Sequence, residues 1–157
     1  MSTYSATVQW SRQPGEVFTD RRYSRRHHWT FDGGQTVPAS ASPQVVRPPL
    51  SDPAGIDPEE ALVAALASCH MLFFLDFASR AGFSVASYRD EAVGVMERDA
   101  RQREWMSRIT LKPQIAFDGD KRPSAAEVEA LHAKAHDHCY IANSIKAEVH
   151  VEGDFTA

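Results

Sequence analysis

The sequence predicts an α+β fold, with two antiparallel groupings of strands around one buried central helix. Three observations predict it. A strongly apolar helical run, Asp57-Pro-Glu-Glu-Ala-Leu-Val-Ala-Ala-Leu-Ala-Ser-Cys69-His70, continues through Phe77 in mid-chain. On both sides of it apolar and polar residues alternate with the period of half-buried strands. The 157 residues suffice for one real core but not for two, so residues 1–157 are read as a single domain.

Taken in order, residues 3–10 alternate and carry Tyr, Thr, Val and Trp, which suits a strand. Gln13-Pro14-Gly15 makes a turn, and a basic run, Arg21 to His28, follows. This run can be read as a patch for an anionic ligand, but in an acidic chain it reads rather as a solvated edge strand kept from aggregating, whose tail, residues 26–31, stops at Asp32-Gly33-Gly34. Residues 36–58 hold six prolines and form a connector with room for one short strand at 43–47. Asp57-Pro58-Glu59-Glu60 then opens a helix: Asp at the N-cap, Pro at the first helical position, and acids against the positive end of the dipole. It should run to Arg80, where Ala81-Gly82 ends it. It is apolar nearly all round and belongs in the middle of something; its length of uninterrupted apolar residues is broken by His70 and Asp76, as in a core helix and not a membrane span.

Beyond it, residues 85–97 and 105–117 alternate as two strands, with residues 99–103 as the hairpin loop. Pro123-Ser124 starts a second helix through Val128, Leu131 and Ala135 to His138, and residues 146–152 alternate once more. A central helix this apolar needs more cover than one small sheet offers, and pairing two copies around it supplies that cover, so a homodimer is expected.

Charged residues at 24% and hydrophobic ones at 43% are ordinary globular values, which excludes a disordered chain or a coiled coil. A net charge of −4 gives no electrostatic case for nucleic acid. The start lacks a basic segment followed by an apolar one, so no signal peptide is expected and a cytoplasmic location follows, where thiols stay reduced unless chemistry oxidises them.

The two cysteines, Cys69 and Cys139, are too far apart in sequence for a zinc knuckle or a C-x-x-C pair. They suit a reactive thiol and a second thiol that traps it. His70 beside Cys69, and the arginines upstream, would favour a thiolate, the form that attacks a peroxide O–O bond. Read instead as a structural residue, Cys69 is a small buried hydrophobe. Cys139 lies where the second helix runs out, a place from which it could move toward a partner sulfur; the other reading makes it a half-buried spectator. His132 and His136, i and i+4 on one helical face, with Cys139 three residues on, have zinc-like spacing. No third and fourth ligand stands at fixed spacing, and a solvent-facing histidine pair is the competing account.

Asp57-Pro58-Glu59-Glu60-Ala61-Leu62-Val63-Ala64-Ala65-Leu66-Ala67-Ser68-Cys69 resembles the N/D-P-E-E-L-x-x-A-A-x-A-x-C helix of the OsmC/Ohr family, the osmotically inducible protein C and organic hydroperoxide resistance proteins. Ala135-His136-x-x-Cys139-x-x-x-Asn143-Ser144 is similar to the family's A-x-x-x-C-P-x-S segment, with Tyr140 where the family has proline. Length and order of elements agree over essentially the whole chain. The resemblance implies an intertwined homodimer with active sites at the subunit interface. It implies reduction of organic hydroperoxides by thiols, without haem, flavin or metal, with a dithiol such as a lipoylated protein as reductant. Carried over, Cys69 is the peroxidatic thiol, Cys139 the resolving one, Glu59 the catalytic glutamate, and an arginine completes the set: Arg25, with Arg26 or Arg47 as alternatives. Ten helical residues rise about 15 Å, so Glu59 cannot touch Cys69 along one straight helix. Either the helix breaks near its start or a second subunit supplies the carboxylate. The alternative to an enzyme is a non-catalytic dimeric binding protein for a hydrophobic or thiol-bearing ligand.

Overall fold

The computed structural model describes residues 1–153 and 155 and has the expected α+β architecture, its strands falling into three sheets. The chain divides into two compact units, Met1–Ala61 and Leu62–Ala157.

In the first unit, β1 (Ala6–Gln9), β2 (His27–Phe31) and β3 (Thr36–Ala39) form an antiparallel meander in that order. The β2–β3 hairpin turns where the sequence placed it: Gly34 takes a φ of 83°, open to glycine, and its N–H donates to Phe31 O at 2.9 Å. Two expectations change here. The basic run is not an edge strand, because β2 is the middle strand and Arg21 to Arg26 precede it in irregular chain. Residues 43–47 are not a strand either; the N–H groups of Val45 and Val46 both donate to Ser42 O, at 3.0 and 2.9 Å, and close turns. The strand lies earlier, at β3, where Pro38 masks it in sequence; at the edge of a sheet a residue without an N–H is tolerated.

The helix α1 (Pro58–Arg80) has the predicted bounds. Asp57 and Glu60 cap it reciprocally: Glu60 N–H donates to Asp57 Oδ1 and Asp57 N–H to Glu60 Oε1, both at 2.8 Å. It ends at Gly82 (φ 80°), with Phe83 N–H donating to Ala78 O and Gly82 N–H to Ser79 O, the pairing of a Schellman turn.

In the second unit each of the two long strands foreseen downstream is split in two. β4 (Val85–Asp90) pairs antiparallel with β7 (Pro113–Phe117), while β5 (Val93–Arg98) pairs antiparallel with β6 (Glu104–Leu111). At the crossing Asp90 Oδ1 accepts Lys112 N–H at 2.7 Å, and Pro113 has no N–H with which to continue the ladder. After α2 (Ala125–His138), β8 (Glu148–Val151) joins β6 in parallel, Ile109 opposite Val149. That sheet is therefore mixed and not purely antiparallel, because the crossover helix α2 brings the chain back in the direction it left.

The two sheets of this unit divide α1 between them. Leu66, near its start, joins Ile109, Leu111 and Cys139 in one buried cluster, lined by residues of β6 and β8. Phe74, Phe77 and Ala78 join Phe83 and Val128, Leu131 and Ala135 of α2 in another, flanked by Val85, Tyr88, Ile115 and Phe117. α1 is long and apolar enough to cross a membrane, with mean hydropathy 1.9 over its most apolar stretch; here it is the helix on which both clusters are built. Yet within one chain only Leu66, His70, Phe74, Phe77 and Ala78 are buried. Ala64, Ala65, Ser68 and Leu72, three and four residues apart, remain exposed along one stripe, Leu72 at 60%.

Candidate functional site

α1 and the end of α2 bring the two cysteines together. Cys69 is half-buried on α1 and Cys139 is fully buried, 0% exposed, at the C-cap of α2. Cys69 packs against the buried cluster that contains Cys139, close enough for its thiol to bear on the titration of the other, so the second sulfur needs no large displacement to reach the first. Both are reduced.

Sequence chemistry explains why α2 stops with Cys139 facing inward. Ser124 and Glu127 form a capping box at its start, and Val128, Leu131, His132 and Ala135 give it one buried face. At its end Cys139 leaves the helical conformation (φ −65°, ψ 112°). The carbonyls freed there are met by Asn143, whose Nδ2 donates to Asp137 O at 2.9 Å and to Cys139 O at 3.0 Å, while its own N–H donates to Cys139 O at 3.0 Å. Ser144 Oγ donates to Tyr140 O at 2.7 Å. Tyr140, standing where the resembling segment has proline, is 70% exposed and sits edge-on to Phe73 with ring centroids 5.2 Å apart. Hydrogen bonds from Asn143 and Ser144 thus fix the loop that a proline would otherwise stiffen. Sequence reasoning passed over Asn143 as a positioning residue; only its place inside the matched segment singled it out.

The surroundings treat the two sulfurs unequally. Burial pushes the Cys139 thiol up to about 11, and the neighbouring Cys69 thiol acts in the same direction. The N–H groups of Ala142, 3.4 Å from its sulfur, and of Ile141 pull the other way without winning.

His70 does not supply the cation expected beside Cys69. It is buried, its Nε2 shares a hydrogen bond with His132 Nδ1 at 2.9 Å, and the rings lie nearly parallel. Burial, helped by His136, lowers its pKa to about 4; burial, helped by His70, lowers that of His132 to about 3. Both are neutral at pH 7. His132 is accordingly not part of a solvent-facing pair: it is 3% exposed and packs against Phe74, centroids 4.4 Å apart. The legible signal was its position, four residues after Val128 and one after Leu131 on the apolar face. Among the described residues no three His, Cys, Asp or Glu side chains are grouped so as to hold an ion, and of the set His132, His136 and Cys139, His132 gives its Nδ1 to the bond with His70.

Glu59 is the second residue of α1, and the helix runs unbroken past Cys69. A straight rise of about 15 Å therefore separates them along the axis, and the possibility of a broken helix is removed. The three arginine candidates differ in their ties. Arg25 folds back, its Nη1 donating to Arg21 O at 3.0 Å and to Tyr23 O, its guanidinium 3.9 Å from the Tyr23 ring centroid. Arg26 pairs with Asp52 at 2.9 Å. The guanidinium of Arg47 has no ion-pair or hydrogen-bond partner among the described residues.

Residues 51–153 match the family model of OsmC-like proteins. Among solved structures, an OsmC-like protein of unknown function from Vibrio cholerae is 47% identical, with a TM-score of 0.96 over 98% of this chain and 100% of that one. An organic hydroperoxide resistance protein from Elizabethkingia anophelis (15% identical, TM-score 0.69, 98% and 94% covered) shares the fold. So does organic hydroperoxide resistance protein OhrB of Bacillus subtilis (16%, TM-score 0.67, 98% of both chains). No curated protein is similar enough to match.

Proposed function

The chain belongs to the OsmC-like protein family, and on that premise we propose that it is a thiol-dependent peroxidase for organic hydroperoxides. The observation that supports the reading is the packing of a half-buried Cys69 against the cluster that holds a fully buried Cys139. Structural neighbours named as organic hydroperoxide resistance proteins support the substrate class.

Cys69, as thiolate, attacks the distal oxygen of a hydroperoxide. The O–O bond breaks, the alkoxide takes a proton and leaves as the alcohol, and Cys69 becomes a sulfenic acid. The Cys139 thiol then displaces that hydroxyl; water leaves and the Cys69–Cys139 disulfide forms. An external dithiol, a lipoylated protein in the family-based reading, takes up the oxidation and restores both thiols. No metal or cofactor enters this cycle.

The working form is a homodimer. The exposed stripe of Ala64, Ala65, Ser68 and Leu72 is a surface of small and apolar residues suited to close helix packing with a second copy. Because α1 is unbroken, a carboxylate role for Glu59 calls for the Glu59 of a second copy. There it would orient the arginine that holds the peroxide, and Arg47 is the candidate with no competing partner to leave.

The test is to mix reduced protein with cumene hydroperoxide and follow free thiols and intact mass. Rapid loss of both thiols with a mass drop of two hydrogens, abolished by Cys69→Ser, is expected. Thiols that persist as long as free cysteine would overturn the enzyme reading and leave a dimeric binding protein on the same fold.

A further inference from the structure

The helices that carry the thiols also share a buried pair that the proposed cycle does not use. His70 follows Cys69 on α1, and its Nε2 is hydrogen-bonded to His132 Nδ1 on α2 at 2.9 Å. Cys139 comes two helical turns after His132, on the same face of α2, and its N–H still donates to His136 O at 3.2 Å. The His132 ring packs against both His70, centroids 5.2 Å apart, and Phe74, one turn further along α1, at 4.4 Å. Among the described residues this is the one side-chain hydrogen bond between α1 and α2; the other ties are ring contacts such as Phe77 with His138 and with Lys134. Ring contacts tolerate sliding, whereas a buried directional bond fixes register. The fold also bears a penalty for it. His70 Nδ1, His132 Nε2 and His136 Nδ1 are buried with no partner among the described residues, which an apolar pair of the same shape would avoid.

We infer that His70 and His132 are positioning residues for the second step of the proposed cycle: their bond fixes α2 against α1 beside Cys69 and so sets Cys139 where the disulfide forms. This rests on the two-thiol reading of the site but not on peroxide as the oxidant. Register matters because a disulfide closes only with its Cα atoms about 4.4–6.8 Å apart, and a slip of one helical turn, about 5.4 Å, exceeds that tolerance. The bond belongs to the neutral rings, and their surroundings offer a proton no support. On α2, His136 opposes protonation of His70, and Glu129 stands at the surface beside His132 and His136. β8 and the chain end present Val151 and Phe155. β4 presents Tyr88 across Phe74, with Asp90 near Tyr88. Among the described residues neither ring bonds a carboxylate. Acid therefore favours reduced molecules in which the helices part and the rings reach water, while the disulfide holds the helices together. By linkage the disulfide is less favoured as pH falls.

The test is the equilibrium constant of the Cys69–Cys139 disulfide against glutathione, measured on the full-length protein from pH 7 to pH 5 with a selenol to keep exchange fast in acid. His132→Phe removes the bond and keeps the space filled; at pH 7 it should lower the constant by about fivefold, the worth of one lost hydrogen bond. His70→Gln/His132→Asn places an amide where each bonding nitrogen stands and cannot titrate. It should match the wild type within about twofold at pH 7. Titration of the thiols enters both proteins alike, so the ratio of wild type to this variant isolates the rings, and it should fall at least about threefold by pH 5. A His132→Phe constant equal to wild type, a Gln/Asn variant as weak as His132→Phe, or a ratio that stays flat would each overturn the positioning role. The wild type supplies a reading that needs no variant. By reciprocity, oxidation must move the titration of the His70 and His132 ring signals, followed by nitrogen-correlated NMR, to lower pH; unchanged titration overturns the inference as well. Failure of peroxide turnover would touch none of these readouts and would sink only the peroxidase reading.

Discussion

Acidification from pH 7 to pH 5 should destabilise this protein steeply, and the buried His70–His132 pair gives the size of the effect. In the unfolded chain both rings titrate near 6.5. Folded, they remain neutral down to about 4 and about 3, chiefly because burial disfavours the charged imidazolium. Between pH 6.5 and 4 the unfolded state thus binds two protons that the folded state refuses. Stability rises with pH wherever the unfolded state binds more protons, so here it falls as pH falls. Each ring contributes up to about 1.4 kcal/mol per pH unit. Integrated from pH 7 to 5, the pair removes about 4 kcal/mol, a large share of the 5–15 kcal/mol typical of a domain. Urea unfolding at pH 7, 6 and 5 measures it, with a His70→Leu/His132→Phe double variant as reference, since the remaining histidines titrate in both proteins. The wild type should lose about 4 kcal/mol more than the variant across that interval. Parallel losses would refute the assignment of the pair as buried and neutral.

Two further predictions concern the thiol site. Asn143→Ala removes the donor to Asp137 O and Cys139 O and should lower the equilibrium constant for the Cys69–Cys139 disulfide, read from a glutathione titration, by about fivefold, taking about 1 kcal/mol for a lost hydrogen bond; it should also raise the yield of trapped sulfenic acid at Cys69 after peroxide. Arg47→Ala should reduce the second-order rate with cumene hydroperoxide by at least about tenfold, in line with removal of a charged hydrogen-bond donor. Arg25→Ala, whose guanidinium is held by its own segment, should leave it nearly unchanged; the reverse order would return the role to Arg25.

The helices were legible almost to the residue, because their ends are written in local chemistry. Asp57 and Glu60, Ser124 and Glu127, and Gly82 each satisfy backbone groups within a few positions. Strand pairing was less so. Alternation in residues 85–97 and 105–117 says nothing about a chain that changes sheet at Asp90 and Lys112, since that depends on the Asp90–Lys112 bond, made 22 residues apart. β3 was hidden by Pro38, whose cost vanishes at an edge. At the site, the two cysteines were readable as a pair through the motifs that flank them, and their packing in one cluster is what the structure adds. Polarity alone does not report exposure at the histidines. His132 occupies an apolar-face position and is reconciled with burial only by His70, 62 residues away.

Under the peroxidase reading, the exclusion of water that keeps the histidines neutral also orders the work of the two sulfurs. A thiol pushed well above its ordinary value by burial is scarcely ionised at pH 7, and a sulfur with no exposed surface offers a peroxide no approach. Cys139 is therefore unfit to attack first, while Cys69, partly open on α1, is the sulfur a substrate can meet. After Cys69 is oxidised the disadvantage of Cys139 is offset by position. Its partner already packs against the same cluster, so the second step is intramolecular, and proximity can supply several powers of ten in rate. The backbone N–H groups of Ala142 and Ile141, which fail to make Cys139 a thiolate in the resting protein, stand where they would stabilise negative charge as it develops on that sulfur. Burial, in this view, does not disable the resolving thiol; it withholds it until the one reaction partner packed beside it has been oxidised.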